Sequence, residues 1–378
     1  MLDDDTRFLE GLFKKYYFEN ASAIPEPSRI QSREFGYQKF NSGMIRHISL
    51  KNANEMHLLL VSNSPSDAYC SSAYYTLPEL EMNQKDWQGA DLVFDIDAKD
   101  LRLDCRSSHT MYRCSSCGAV SGDTQHCSSC GSSKYSAVSV SCSNCINESK
   151  KEVEKLKEIL VSDFGILESA IRTYFSGNEG FHVHTTSSDY EDFDSRERGE
   201  LVNYIKFIDP IPERFGMPRN QKNIKSMLPE SSDPGWPGRV ARFIFGSDYK
   251  RKKLMESLGQ NKYDGYGAVL RSLSVKIGVA IDPSVTMDVH RIFRMPHSLN
   301  GKSGLLKMPC DDLESFDPYS KACVLDDAEV TVCASCTASF NLGGCKFGPY
   351  DSEEVKVPAY AAAYMICKGL ASIAGAGQ

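Results

Sequence analysis

Between Cys114 and Gly131 the chain reads CSSCGAVSGDTQHCSSCG, two Cys-x-x-Cys-Gly knuckles in close succession. The two-residue gap lets both thiolates of a knuckle reach one tetrahedral cation, and the glycine permits the turn that aims backbone amides at sulfur. The spacing predicts a structural zinc ribbon held by Cys114, Cys117, Cys127 and Cys130, with His126 adjacent but superfluous. Flanking it, Cys105, His109, Cys142 and Cys145 make a second potential tetrahedral set, whose members the ribbon would bring together by closing the loop. The competing reading leaves Cys142 and Cys145 as buried, unligated thiols, so the chain carries one zinc ion or two. From 105 to 147 the composition turns to Cys, Ser and Gly and hydrophobic periodicity is lost, as for a small metal module inserted into a larger fold. The remaining cysteines are less orderly. Cys333 and Cys336, with Cys345 nearby, lack a fourth ligand and read with Cys70, Cys310, Cys323 and Cys367 as core thiols rather than a third site.

Reduced, clustered thiols suit a cytoplasmic chain. The start, MLDDDTRFLEGLFKKYY, has no basic segment followed by an apolar run and cleavage site. The apolar late stretch VPAYAAAYMICKGLASIAGAG is interrupted by Lys368 and reads as a packed C-terminal helix, not a membrane span. A formal net charge of -7 argues against a surface that is basic throughout, although a local basic groove or reliance on a partner is compatible with it.

Hydrophobic spacing predicts a helix over 6–18, strands in REFGYQKF and MIRHISL, and a helix or strand in NANEMHLLLVS. AYYTLPELEMNQKDWQGA reads as a connection into a DLVFDID strand. After the metal module, Val153, Leu156, Leu160 and Val161 mark an amphipathic helix closed near Gly165. AIRTYF, SGNEG and FHVHT then read as a β-hairpin with His182 and His184 on one face. Residues 186 to 265 are charged and Pro-rich with helical pieces, among them SRERGELVNYIKFI, PGRVARFIFG and YKRKKLMESLG. The expected class is mixed α/β. A core formed by residues 1–104, 148–190 and 271–378 is interrupted by the zinc module at 105–147 and a mostly helical subdomain at 191–270.

Along DLVFDIDAKD, Leu92, Phe94 and Ile96 take one face while Asp91, Val93, Asp95 and Asp97 take the other. Asp95 and Asp97 repel each other unless a cation lies between them, and a hard divalent ion such as Mg²⁺ or Mn²⁺ takes carboxylate oxygens while leaving positions for phosphates. A solvated strand face is the bland alternative. Asp282, read as ending an apolar strand, is the best third acid; Asp288 suits a helix-start acid better. Three acids around two such ions support nucleotidyl transfer. The Gly-bracketed SGNEG turn, with Ser176, Gly177 and His182, could contact phosphate through its amides and hydroxyl. Arg294, Gly301 and Lys302 add cationic and flexible positions, which an ordinary basic loop would also supply.

Together, REFGY at 33–37, MIRH at 44–47, the segment 73–100, FSGNEGFHVH at 175–184 and IDPSVTMDVHRIFRMPHSLNGKSGL at 281–305 resemble the small catalytic subunit of archaeal and eukaryotic DNA primase, in that family's order. The resemblance implies a primase catalytic core with inserted zinc knuckle and helical subdomain. It implies synthesis of short RNA or mixed primers on single-stranded DNA from NTPs, with a large regulatory subunit as partner. Carried over by motif, Asp95, Asp97 and Asp282 match the metal-binding catalytic acids. Ser176, Gly177 and His182 match the phosphate turn, Arg294, Asn300 and Lys302 a nucleotide-contacting segment, and Glu34 and Arg46 the active-site lining. Cys105, His109, Cys142 and Cys145 match the family's zinc ligands.

Three departures stand out. Glu179 occupies a position where the resembled family has a basic residue, Asn300 replaces a phosphate-touching histidine, and the Cys114 to Cys130 ribbon is an added module. Other readings are a primase-polymerase that extends or repairs DNA ends, favoured by dNTPs and a preformed primer, a non-catalytic zinc-ribbon protein that holds single strands, and a metal-dependent nuclease. The phosphate-facing turn suits a triphosphate better than a nuclease substrate.

Overall fold

The computed structural model describes residues 3–122, 126–219, 228–245, 254, 256, 258 and 262–375. The chain opens with α1 (Asp4–Asn20), whose N-cap Asp3 accepts the amide of Thr6 at 2.6 Å and so satisfies one of the free N–H groups of the first turn. Leu9, Phe13, Tyr16 and Tyr17 form its buried face. Strands β1 (Phe35–Gln38) and β2 (Met44–Ile48) follow, then α2 (Ala53–Asn63), which settles NANEMHLLLVS as a helix, and β3 (Asp67–Ser71). The connection expected at 73–90 is instead a two-stranded hairpin of β4 (Ala73–Tyr75) and β5 (Trp87–Ala90). Its aromatic residues explain the difference: Tyr75 is buried against Ala73, Ala90 and Trp87, and the Tyr74 hydroxyl donates to buried Asp91.

The acid-bearing strand β6 (Leu92–Asp97) leads into the metal module, built from α3 (Arg106–His109), β7 (Thr110–Cys114), β8 (Val120–Ser121) and β9 (Tyr135–Ser139). Helix α4 (Ser143–Ser162) buries Cys145, Ile146, Val153, Leu156, Ile159 and Leu160. Val161, placed on the apolar face by spacing, is 41% exposed, because Ile159 takes the core position instead. Strands β10 (Ile171–Phe175) and β11 (Gly180–Thr185) form the expected hairpin. The charged region contributes α5 (Ser195–Ile205), α6 (Gly235–Phe245) and the helix Lys262–Ile277. YKRKKLMESLG lies almost entirely outside the described residues.

Two sheets frame the site. One has the order β12-β3-β1-β2, with β12 at Ile292–Arg294; the other has the order β13-β10-β11-β6, with β13 at Met308–Pro309. Phe94, Ile96, Phe175, Phe181 and Val183 of the second sheet belong to one large core with α1 and α4. The C-terminal sheet is β17-β14-β18, with β14 at Glu329–Cys336, β17 at Tyr350–Pro358 and β18 at Ala371–Ile373, and a hairpin of β15 (Phe340–Leu342) and β16 (Cys345–Phe347) joins β14 to β17.

Two C-terminal expectations are corrected. The late apolar stretch is helical only over Ala359–Cys367; Gly369, at φ 67, turns the chain into β18. Cys333 and Cys345 are exposed rather than core thiols. Cys333 and Cys336 lie three apart on a strand, hence on opposite faces, so Cys336 joins Val332 and Ala334 in the core while Cys333 points outward.

Candidate active site

Strand β11 runs antiparallel beside β6 in a register that sets His182 opposite Asp95 and Gly180 opposite Asp97. The approach is closest at Gly180, where a Cβ would lie 2.3 Å from the Ile96 carbonyl oxygen and 2.5 Å from Asp97 Oδ1. Only glycine lets the Ser176–Gly180 turn sit directly on the acid strand. Asp282 arrives from outside the sheet: its amide donates to the Asp95 carbonyl at 3.0 Å. It ends no strand. It is the N-cap of the short helix Pro283–Met287, accepting from the Ser284 amide at 2.9 Å and hydroxyl at 2.8 Å, and Asp288, read as the helix-start acid, is that helix's C-cap. Thr286 fastens the helix to β6 by donating to the Val93 carbonyl at 3.0 Å.

Asp95 is the strained member of the acid set. Its Oδ1 is buried without a hydrogen-bond partner, 3.5 Å from His182 Nε2. Burial first, and then the negative charge of Asp97, push its carboxyl up to about 7, with Asp282 adding to the rise. Asp97 is held by Lys99 at 2.5 Å. The three carboxylates do not close into a single tight cage: among the described residues, the groups whose ligand atoms all lie within 4.8 Å are the two cysteine sets. A buried carboxylate with an orphaned oxygen beside two further acids is nevertheless the donor set a hard divalent cation satisfies, since the cation offsets the burial penalty and the repulsion that together raise Asp95.

Behind Asp95 lies a group that sequence reasoning missed. Lys307 is fully buried and directs its ammonium to His182 Nδ1 at 3.0 Å, His184 Nε2 at 3.3 Å and the Arg294 carbonyl at 2.9 Å. With the lysine charged, all three of its donors are used and His182 carries its proton on Nε2, facing Asp95. Burial, with Arg294 assisting, brings Lys307 down to about 7, and burial followed by the Lys307 charge holds both histidines well below the usual imidazole range. A lysine within the apolar run LLKMP was the only sequence signal available.

The Ser176–Gly180 turn is held by the loop after β12. Ser176 closes the turn by donating its amide to the Gly180 carbonyl at 2.9 Å, and Gly177 takes φ 87. Ser303 donates its hydroxyl to the Gly177 carbonyl, and Asn300 Nδ2 lies 3.4 Å from the Ser176 carbonyl. Asn300 is 5% exposed and its Oδ1 accepts the Lys302 amide at 2.9 Å, so both ends of its amide brace the loop; Lys302 itself is exposed. Arg294 is tied to Asp67 and to the Leu299 carbonyl at 2.9 Å. Tyr16 and Tyr17 of α1 anchor the same loop, through the His297 carbonyl at 2.9 Å and the Leu299 amide at 3.3 Å.

Glu34 and Arg46 form a bidentate pair at 2.8 and 3.1 Å. Glu34 is fully buried, also accepts the His47 amide at 3.1 Å, and lies 3.4 Å from the fully buried Lys85, a second residue without a sequence signal. Burial alone would raise the Glu34 carboxyl, but Arg46 and the His47 amide together hold it below the usual range. Glu34 thus fixes Arg46, whose side chain is the more exposed of the two.

Both cysteine sets converge as the spacing predicts. In the ribbon, Cys114 and Cys130 are 3.6 Å apart and Cys117 and Cys127 3.5 Å. In the other set, Cys105 and Cys145 are 3.7 Å apart and His109 Nε2 is 3.3 Å from Cys145. These separations far exceed a disulfide bond of about 2.05 Å and approach the edge of roughly 3.8 Å expected for a tetrahedron with Zn–S bonds of about 2.3 Å. Gly118 and Gly131 both adopt positive φ, and the amides of Cys117 and Ser116 hold the Cys114 thiol below the ordinary range. The donor chemistry fits zinc at both sites, and His126 stands outside the ribbon's ligand set.

Residues 134–312 match the family model described as DNA primase small subunit. The chain is 51% identical over 374 residues to DNA primase small subunit PriS of Nitrosopumilus maritimus (strain SCM1), covering 99% of this chain and 100% of that protein. It is 49% identical over 375 residues to PriS of Cenarchaeum symbiosum (strain A), at 99% and 100% coverage. Among solved structures, the polymerase domain from Mycobacterium tuberculosis ligase D in complex with DNA superposes with a TM-score of 0.37 at 10% identity, over 79% of this chain and 80% of that one, which is too loose a match to argue from.

Proposed function

Since the chain belongs to the DNA primase small subunit family, a family of nucleotidyltransferases that make RNA primers for replication, we propose that Asp95, Asp97 and Asp282 are its catalytic acids and that the Ser176–Gly180 turn receives the incoming nucleotide's triphosphate. The observation that carries this reading is the convergence of three chain segments on Asp95: Asp97 from its own strand, Asp282 through its amide, and His182 from β11. Divalent Mg²⁺ or Mn²⁺ bound there supplies activation of the attacking 3′-hydroxyl and charge neutralisation at the triphosphate.

The chain's own residues do the remaining work. Lys307 fixes the His182 ring with its Nε2 proton facing the acids, so the imidazole donates a neutral hydrogen bond at the reacting phosphate. Ser176 and the amides of the Gly177 turn cradle phosphate oxygens, Arg46 and Lys302 add positive charge at the rim, and the Glu34, Asp67 and Asn300 contacts keep these groups in place. The 3′-oxygen bonds to the α-phosphorus as the bond to the pyrophosphate oxygen breaks. Template pairing selects the nucleotide.

Zinc held by Cys105, His109, Cys142 and Cys145 would tie the start of α4 to α3, and the Cys114, Cys117, Cys127, Cys130 ribbon extends from there. We assign 105–147 as the metal module and 191–270 as the helical subdomain within this reading. A large regulatory primase subunit and a single-stranded DNA template are the partners the family implies; among the described residues no helix is long and apolar enough to cross a membrane. The test is incorporation of labelled NTP on circular single-stranded DNA, with and without a cognate large subunit. Short RNA products are expected. A complex that binds DNA yet makes none would instead support the strand-holding reading.

A further inference from the structure

Glu179 presents a chemical problem within this site. It stands in the phosphate-facing turn immediately before Gly180, and its carbonyl accepts the Ala98 amide at 3.1 Å, next to the acid strand. A bare carboxylate at this point repels a triphosphate. The side chain is only 14% exposed, and two cations from distant segments converge on it: Arg106 at 3.3 Å and Lys368 at 3.8 Å.

Both cations have further anchors. Arg106 lies in α3, between the metal-module residues Cys105 and His109, and also donates to the Ser139 hydroxyl at 3.1 Å. Lys368 follows the helix Ala359–Cys367, has a side chain only 7% exposed, and donates to the Asn178 side chain in the same turn at 3.0 Å. Tyr319 donates to the Asn178 carbonyl at 3.3 Å. Two cations on one carboxylate leave the cluster with a net positive charge, and its low exposure limits screening by salt.

We infer that Arg106 and Lys368 are positioning residues that cancel the Glu179 charge and clamp the turn, so that the zinc module and the C-terminal helix set the enzyme's affinity for the nucleotide triphosphate. This rests on the assignment of the Ser176–Gly180 turn to the triphosphate. It gives the C-terminal region a role that its sequence does not suggest, and it explains how an acidic residue is tolerated in the turn.

The test is a double-mutant cycle on the zinc-loaded enzyme with its large subunit, measuring KM for NTP and kcat. Arg106→Gln should raise KM by about five- to tenfold, the range a partly buried ion pair can carry, with kcat at saturating NTP changed by less than about twofold. In a Glu179→Gln background the same substitution should change KM by less than about twofold, because the charge being cancelled is gone. An unchanged KM in Arg106→Gln, or an equal rise in both backgrounds with zinc content intact, overturns the inference. Lys368→Gln should follow the same pattern; if that buried substitution prevents folding, the Arg106 cycle alone decides. Ser176→Ala separates the two levels: a raised KM there with none in Arg106→Gln removes the clamp and keeps the turn, whereas no rise in either removes the turn assignment as well.

Discussion

The backbone amide of Asp282 donates to the carbonyl of Asp95 across 3.0 Å, joining residues nearly two hundred positions apart whose carboxylates we propose act together. The bond uses main-chain atoms alone, so it occupies neither carboxylate; Asp282 Oδ1 caps the helix through Ser284 and Oδ2 is left for a cation. It fixes the third acid by backbone geometry, and a substitution of either carboxylate leaves the link in place.

Asp95 makes metal-free stability depend on pH. Its carboxyl is raised from 3.8 to about 7, so the fold favours the protonated form. The stability this group contributes is full below the unfolded value and is lost as pH rises toward the folded one. Relative to Asp95→Asn, the metal-free wild type should lose up to a few kcal/mol between about pH 4 and pH 8. Mg²⁺ or Mn²⁺ should restore it at the upper end. Parallel thermal-denaturation curves for the two proteins across that range would show that Asp95 is not held in this way.

Lys307→Met removes the donor to His182, His184 and the Arg294 carbonyl while nearly preserving volume. Leaving three buried acceptors unpaired should cost about 2–4 kcal/mol and raise KM for NTP through the freed His182 ring. Thermal melts and steady-state kinetics check this; wild-type values for both would mean that the buried ammonium does not position His182.

Metal analysis should find two zinc ions per chain. Cys130→Ser should lose one and leave the core melting cooperatively, since Cys117 and Cys130 are exposed and none of the four ribbon cysteines belongs to the large hydrophobic core. Cys145→Ser should lose the other and destabilise the fold by several kcal/mol, because Cys145 is buried where α4 joins the core. A single zinc in the wild type would remove one of the two sites.

Gly180→Ala and Gly11→Ala should move stability in opposite directions. At Gly180 a methyl meets the Ile96 carbonyl and Asp97, so β11 and β6 must separate, at a cost of roughly 3 kcal/mol or more with loss of activity. At Gly11, in α1, it meets nothing within 4 Å, and alanine should stabilise by about 0.5–1 kcal/mol. Equal effects at the two positions would contradict the close strand approach described for the site.

Much of this arrangement is legible in the sequence where chemistry and period coincide. Two Cys-x-x-Cys-Gly knuckles admit few geometries, and the alternation in DLVFDID and FHVHT puts Asp95, Asp97 and His182 on defined faces. What escapes the sequence is determined by distant contacts. Asp282 looks like a strand end because VAI is apolar, but its side chain caps a helix. The hairpin at 73–90 depends on Tyr74 reaching Asp91, and the burial of Lys85 and Lys307 depends on partners far away in the chain. The tolerance of Glu179 depends on Arg106 and Lys368, neither of which its neighbours in sequence foretell.

The most direct test of the central claim is Mn²⁺ binding, followed by electron paramagnetic resonance on the zinc-loaded wild type and Asp282→Asn. The account predicts that the substitution abolishes tight Mn²⁺ binding in the presence of NTP and lowers primer synthesis by about a hundredfold or more, while DNA binding persists. Unchanged Mn²⁺ binding and unchanged synthesis in Asp282→Asn would contradict it.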